Sequence, residues 1–287
     1  MIYLWYPQGR LGNLIFQYQA IAAISEGHPV LALSNDFFDL FEYPRRFAVL
    51  PVPRRLRWRA ERWWTSLLDG LVRRGLVGSI EPTMRVIEGD IASETRDLVT
   101  VPGRLKSVFV VKGFFQSSQY QFPLPSIAAA ARVRAEAMLR DVPRSQRVAI
   151  HMRFGDYVTW PVFGVPGLGA LPAAYYLDAI EEIGRTVPDA TFVVISDDRK
   201  RAAEILGDHQ GRIRFVDGGS ALDDFTLIAS CGHAILSASS YSWWAAALIE
   251  GGQPLIVAPK YWLGFRKRLW FPTEIACDRF TYIEFAT

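Results

Sequence analysis

The heptapeptide His151-Met-Arg-Phe-Gly-Asp-Tyr157 sets an imidazole, a guanidinium, a glycine and a carboxylate close together, directly after the apolar run Val148-Ala-Ile150. An apolar run that ends in such a cluster is the pattern of a strand feeding a ligand crevice in an α/β domain. Arginine's rigid fork matches phosphate oxygens, so Arg153 is the group best suited to grip an anionic ligand. Its plain alternative is a surface or helix-capping arginine. His151 reads either as a core histidine satisfied by a carbonyl or as a donor to a base or a phosphate. Asp156 reads as the carboxylate that orients Arg153 or caps the next element. A second polar cluster, Ser239-Ser-Tyr-Ser242, opens an apolar helical run. Hydroxyls and amides at a helix start make an anion site, although capping alone also selects serine. Ser196-Asp-Asp198 closes a third apolar run, Thr191–Ile195, and suits sugar hydroxyls, the N–H edge of a base, a metal, or an N-cap. No second acid-x-acid pair stands beside it, which weakens the metal reading.

The elements that must position these residues follow from periodicity. A strand at 2–6, the turn Gly9-Arg-Leu-Gly-Asn13, a helix from Leu14 to Ser25 and a strand at 29–33 open the chain. A strand at 108–111 and a helix at 127–139 follow. Asp141-Val-Pro-Arg-Ser-Gln146 has the composition of a linker and divides the chain into domains 1–143 and 144–287. The second half alternates strands at 147–151, 191–195, 212–216, 233–237 and 254–257 with helices at 173–184, 199–206, 222–231 and 240–250. Between the first of these strands and its helix lies a Gly/Pro-rich loop, 155–172, long enough to form a binding loop or lid. The fold class is therefore α/β, a mainly parallel sheet flanked by helices with ligand loops after the strands.

Composition narrows the functional classes. The chain has 287 residues, a formal charge of +3 and 2 cysteines, too few for a disulfide framework or a metal set. The N-terminus opens on a strand without a secretory signal, and no run reaches the roughly 18 apolar residues of a membrane span. A cytoplasmic location follows. The segment 54–76 differs from the rest, interleaving arginines with Trp58, Trp63 and Trp64. Two readings stand for it: a helix resting on anionic lipid at the inner face of the membrane, or a helix packed on its own domain with a solvated basic rim. Nothing pairs it with a nucleic-acid recognition motif.

Six segments, in order, resemble the α-1,2-fucosyltransferase family. Gly9-Arg-Leu-Gly-Asn-Leu-Ile-Phe-Gln-Tyr18 is similar to G-R-L-G-N-Q-x-F-Q-Y, and Gly113-Phe-Phe-Gln-Ser-Ser-Gln-Tyr120 to G-Y-x-Q-S-x-x-Y. His151–Tyr157 resembles H-x-R-R-G-D-Y, Leu171-Pro-Ala-Ala-Tyr-Tyr176 resembles L-P-x-x-Y-Y, and Ile195-Ser-Asp-Asp198 resembles F-S-D-D. The stretch from Asp224 to Trp244, ending Ser-Ser-Tyr-Ser-Trp-Trp, resembles the family's serine-rich segment. The chain departs from the pattern at Leu14, Phe154, Ala238 and Ala245-Ala-Ala247.

The resemblance implies a GT-B fold, two Rossmann-like domains facing across a cleft, with the donor held by the C-terminal domain and the acceptor by the N-terminal one. It implies an inverting, metal-independent transfer of fucose from GDP-fucose to a galactose-type hydroxyl of a surface glycan, with no cofactor. Arg153 would take the pyrophosphate, with Asp156 beside it as a motif carboxylate. His151 and Asp197 would sit near the guanine, by a more distant likeness. Ser240, Tyr241 and Ser242 would line the phosphate side, and Gly12 and Asn13 would close the site from the other domain. A different nucleotide sugar, suggested by Phe154 and Ala238, and a non-catalytic glycan- or nucleotide-binding relative are the other classes. If 54–76 rests on a membrane, a lipid-linked acceptor fits it.

Overall fold

Short apolar strands joined by helices build two sheets. The computed structural model describes residues 1–120, 123–124, 126–159, 161–162, 165–166, 169–207, 212–216 and 219–286. The chain divides into two units, Met1–Ala128 and Ala129–Thr287. The first unit runs β1 (Ile2–Trp5), α1 (Leu11–Ile24), β2 (Val30–Leu33), α2 (Asp36–Leu40), β3 (Phe47–Leu50), α3 (Arg57–Arg73), β4 (Gly78–Glu88), β5 (Ile91–Val101) and β6 (Val108–Val111). Its sheet has the order β3-β2-β1-β6-β4-β5. All neighbours are parallel except β4 and β5. α1 is apolar on nearly every side and, except at Asn13, is buried from Leu11 to Ala22, as a helix without a polar face must be. Its Tyr18 stacks on Phe37 at 4.4 Å, and Gln17 accepts from the Trp5 indole at 3.0 Å, so the polar group it buries is satisfied.

The β4–β5 hairpin was not foreseen from the sequence. Glu88 pairs with Ile91, leaving Gly89-Asp90 as the connection, with Gly89 at φ 52°. Glycine at the first central position is what such a turn requires. Pro82 lies past the segment of β4 that pairs with β6, and the β5 register shifts beside it, so its missing N–H is accommodated. α2, β3 and a final short strand were also unforeseen.

The second unit runs α4 (Ala129–Leu139), β7 (Arg147–Met152), β8 (Pro161–Val162), β9 (Val165–Pro166), α5 (Ala173–Thr186), β10 (Thr191–Ser196), α6 (Arg199–Leu206), β11 (Ile213–Phe215), α7 (Ala221–Ala229), β12 (His233–Ile235), α8 (Ser240–Ala247), β13 (Ile256–Pro259) and β14 (Thr281–Ile283). Its sheet, β11-β10-β7-β12-β13-β14, is parallel throughout. Helix α4 belongs to this unit, so the division falls at Ala128/Ala129, before the segment 141–146 in which the sequence placed a linker. The physical tie is a set of ion pairs that α4 and the residues after it make inside the unit: Arg132–Glu250, Arg134–Asp223, Glu136–Arg147 and Asp141–Arg214, each at 2.7 Å. Within the long loop 155–172, Trp160, Gly164 and Gly167 lie outside the described residues. Among the described residues no helix is long and apolar enough to cross a membrane.

Candidate active site

Parallel register gathers the predicted cluster. Ser196 of β10 lies opposite Met152 of β7, and Ile235 of β12 lies opposite Ile150. Arg153, Asp197 and the segment 236–239 therefore leave the sheet at one edge, the carboxyl end where ligands bind in such folds. β7 is buried over its whole length, which anchors the start of the loop.

At that edge the Arg153 guanidinium is held on three nitrogens. Nε and Nη2 donate to Asp156 Oδ1 at 3.1 and 2.6 Å, and Nη1 lies 3.0 Å from Asp197 Oδ2. The other Asp197 oxygen accepts from the Phe154 amide at 2.9 Å. Asp198 separately caps α6, accepting from the Arg201 amide at 3.0 Å. The acidic pair thus divides its work: one carboxylate braces the arginine and the other starts a helix.

Gly155 lets Asp197 in. A Cβ on it would stand 2.5 Å from Asp197 Oδ2. The space that the missing side chain leaves is taken by the carboxylate.

His151 is buried, with Nδ1 2.7 Å from the Ser237 hydroxyl and its ring 5.3 Å from that of Tyr241. Burial, helped by the nearby Arg153 charge, lowers its pKa to about 3, so the imidazole is neutral at physiological pH. Tyr241 is itself fixed: its hydroxyl donates to the Ala221 carbonyl. Ser242 is fully buried, and its hydroxyl is shared between the carbonyls of Ser237 and Ser239, at 3.2 and 3.1 Å. It shapes the turn into α8. Ser240 begins the helix, with Ser239 at its N-cap.

Phe154, where the motif has a second arginine, is buried in a core that includes Met152, Tyr175 and Tyr176, with the Arg201 guanidinium 4.6 Å from its ring centre. The first unit holds Gly12 and Asn13. Gly9, at φ 77°, gives the Asn13 side chain its space, since a Cβ there would stand 2.3 Å from Nδ2. Asn13 Oδ1 accepts from Gln116 Nε2 at 2.8 Å, which joins the segments 9–18 and 113–120. Gly12 is buried in the first turn of α1.

Two residues were missed. The Tyr157 ring flanks Arg153 at 5.8 Å and its hydroxyl donates to the Ala238 carbonyl at 3.1 Å, tying the arginine loop to the serine segment. Burial pushes its pKa up to about 12 and keeps it a neutral donor. Its signal was its place at the end of the 151–157 motif. In the first unit Glu94 accepts from the amides of Phe114 and Phe115 at 3.0 and 2.7 Å, holding Phe115 at φ 54°. Burial raises its pKa. It lies on the unforeseen hairpin and so had no signal. Among the described residues no group of three His, Cys, Asp or Glu side chains is arranged to hold a metal.

The profile of glycosyl transferase family 11 matches residues 88–267, more than half of the chain. An Escherichia coli alpha-1,2-colitosyltransferase is 28% identical over 172 residues, which is 56% of this chain and 59% of that protein. Galactoside alpha-(1,2)-fucosyltransferase 1 of Aotus azarae is 30% identical over 136 residues, 42% of this chain and 35% of that one. Both similarities thus span less than two thirds of the relative's own length. Among solved structures, POFUT1 in complex with GDP superposes with a TM-score of 0.53 at 13% identity, over 90% of this chain and 97% of that one. That likeness is one of fold, two parallel-sheet α/β units of the GT-B type.

Proposed function

The chain belongs to glycosyl transferase family 11, and from that premise we propose that it transfers fucose from GDP-fucose, with inversion, to a galactose-type hydroxyl of a surface glycan in α-1,2 linkage. The observation that carries this reading is the Arg153 guanidinium, clamped by Asp156 and Asp197 at the sheet edge and linked through Tyr157 to the start of α8. The donor pyrophosphate takes Arg153 and the first-turn amides at Ser240–Ser242. Arg153 and its two carboxylates sum to one negative charge, so a phosphate must replace a carboxylate rather than add to the set. Asp156 is the one that yields: its side chain is 54% exposed, whereas Asp197 is 26% exposed and also holds the Phe154 amide.

The acceptor hydroxyl oxygen then attacks C1 in one displacement and releases its proton to solvent, while the breaking C1–O bond leaves its electron pair and charge on GDP. Arg153 and the helix start meet that charge as it grows, the form of stabilisation that commonly contributes most. A charge-assisted hydrogen bond is worth about 1.5–3 kcal/mol. Neutral His151 and the fixed Tyr241 ring supply the face for the guanine. The guanidinium serves where other transferases use a divalent cation. Gly12 and Asn13, braced by Gln116, are assigned to the acceptor-side unit. A lipid-carried acceptor at the inner face of the cytoplasmic membrane completes the reading.

The test is a panel of GDP-fucose, GDP-mannose and UDP-sugars with galactosyl acceptors in EDTA, with products read by mass spectrometry. Fucose transfer is the expected result; no use of GDP-fucose beside turnover of another donor would reject it. The second reading, another nucleotide sugar such as a colitose donor, is favoured by Phe154 standing where the motif has arginine and by the relative that carries that activity. A binding-only protein would hold GDP and leave every donor intact.

A further inference from the structure

The outward face of α3 and the turn before it is built from arginines and tryptophans. Within 54–76 there are seven arginines and two acids, Glu61 and Asp69. Neither acid offsets the arginines freely: Asp69 pairs with Lys112 at 2.9 Å and accepts from Tyr6 at 3.0 Å, and Glu61 is half-buried with its pKa raised. Arg54 and Arg57 are consumed by Asp39. Arg55, Arg59, Arg62, Arg73 and Arg74 are exposed and have no carboxylate within 4 Å among the described residues. The same face exposes Trp58 by 60% and Trp63 by 62%, with Leu56 and Leu67 also open. Helix geometry explains the sorting. Trp64 and Leu68, one turn apart, fill the core with Leu4, Leu33, Val77 and Val110, so Trp63 and Leu67, also one turn apart, turn outward.

We propose that this face docks the protein on an anionic lipid surface. The inference goes beyond the donor reading and does not depend on it. Charge complementarity selects the occupant: five guanidiniums with no carboxylate within 4 Å among the described residues suit phosphate headgroups. Indole rings left in water beside them are the residues that settle at a membrane interface, apolar body inward and N–H toward the headgroups. A helix packed on its own unit and one resting on lipid are then the same helix, using its two sides.

The test is co-sedimentation of the whole protein with neutral phosphatidylcholine vesicles and with vesicles containing phosphatidylglycerol, at low and high salt. Binding should be confined to the anionic vesicles and fall steeply with salt. Arg59→Gln with Arg62→Gln should lower partitioning about thirtyfold, and Trp58→Gln with Trp63→Gln about tenfold or more. Neither pair should move the thermal unfolding midpoint or the affinity for GDP, since all four side chains point into solvent. Equal binding to neutral vesicles, unchanged binding by both variants, or retention of duplex DNA without vesicle binding would each overturn the proposal. Loss of donor turnover with vesicle binding intact would count against the catalytic reading alone.

Discussion

Alanine at Gly155 should weaken the binding of GDP without disturbing the backbone that carries it. Gly155 is not among the glycines at positive φ, so an alanine meets no conformational penalty of its own. What it meets is Asp197: the new methyl would stand 2.5 Å from Oδ2, inside the 3.0 Å that real Cβ atoms essentially never enter. The carboxylate must retreat, loosening both its 3.0 Å pairing with Arg153 and its 2.9 Å bond from the Phe154 amide. A hydrogen bond to a charged group is worth about 1.5–3 kcal/mol. The pair is partly exposed, at 19% and 26%, so the lower half of that range applies. About 1.5–2 kcal/mol corresponds to roughly a 10- to 30-fold weaker GDP affinity if Asp197 aims the arginine at the phosphate. Calorimetric titration of GDP into Gly155→Ala gives the affinity, and thermal unfolding of the same variant separates a loose site from a loose fold. Gly184→Ala, on α5 with nothing within 4 Å of the added carbon, is the control and should bind as the wild type does. A Gly155→Ala protein with wild-type affinity and an unchanged midpoint would refute the reasoning.

Asp197→Asn should weaken GDP binding more than Asp156→Asn, because Asp197 also fixes the loop amide while Asp156 is the partner that gives way; titration of both variants checks the order, and the reverse order would count against the exchange. Phe154→Ala opens a hole in the core it shares with Met152, Tyr175 and Tyr176 and removes the ring under Arg201, so it should cost about 3–5 kcal/mol of stability by denaturant unfolding. His151 has a folded pKa of about 3 against 6.5 for the free group. Between those values the unfolded chain takes a proton the native one refuses. Stability is therefore full above the unfolded pKa and falls as the pH is lowered, by at most about 1.4 kcal/mol per pH unit. His151→Asn should flatten this dependence, so that the difference in unfolding free energy between the two proteins changes from about pH 7 to about pH 4. A constant difference would mean that His151 does not titrate as its burial dictates.

Periodicity located the second unit's parallel strands because each is an unbroken apolar run with a helix after it, and parallel register then fixed which residues share the sheet edge. It missed the β4–β5 hairpin because Met84, Val86, Leu98 and Val99 are exposed there, so their apolar signal does not mark a buried face. Gly89-Asp90 was the one local cue. The linker reading of 141–146 followed composition, yet the pairing of Arg134 and Asp141 with partners far along the chain draws this region into the second unit. In the site, residue type singled out Arg153 and Asp156, and the resemblance set Asp197 near the guanine; the structure joins Asp197 to Arg153 as well. Ser242 is a case where type misleads, since its hydroxyl is spent on two carbonyls; Gly155 shows its role only in the structure, where it makes room for a carboxylate. Glu94 needed the hairpin to be known first.

The proposed anchor for the donor's phosphates is Arg153, and calorimetric titration of GDP into the wild type, Arg153→Ala and Arg153→Lys measures its part in binding. Alanine should weaken binding about 100-fold or more, from the loss of two or more charged hydrogen bonds, and lysine, which keeps the charge without the fork, by an intermediate amount. Alanine binding GDP as tightly as the wild type, with its fold intact, would contradict it.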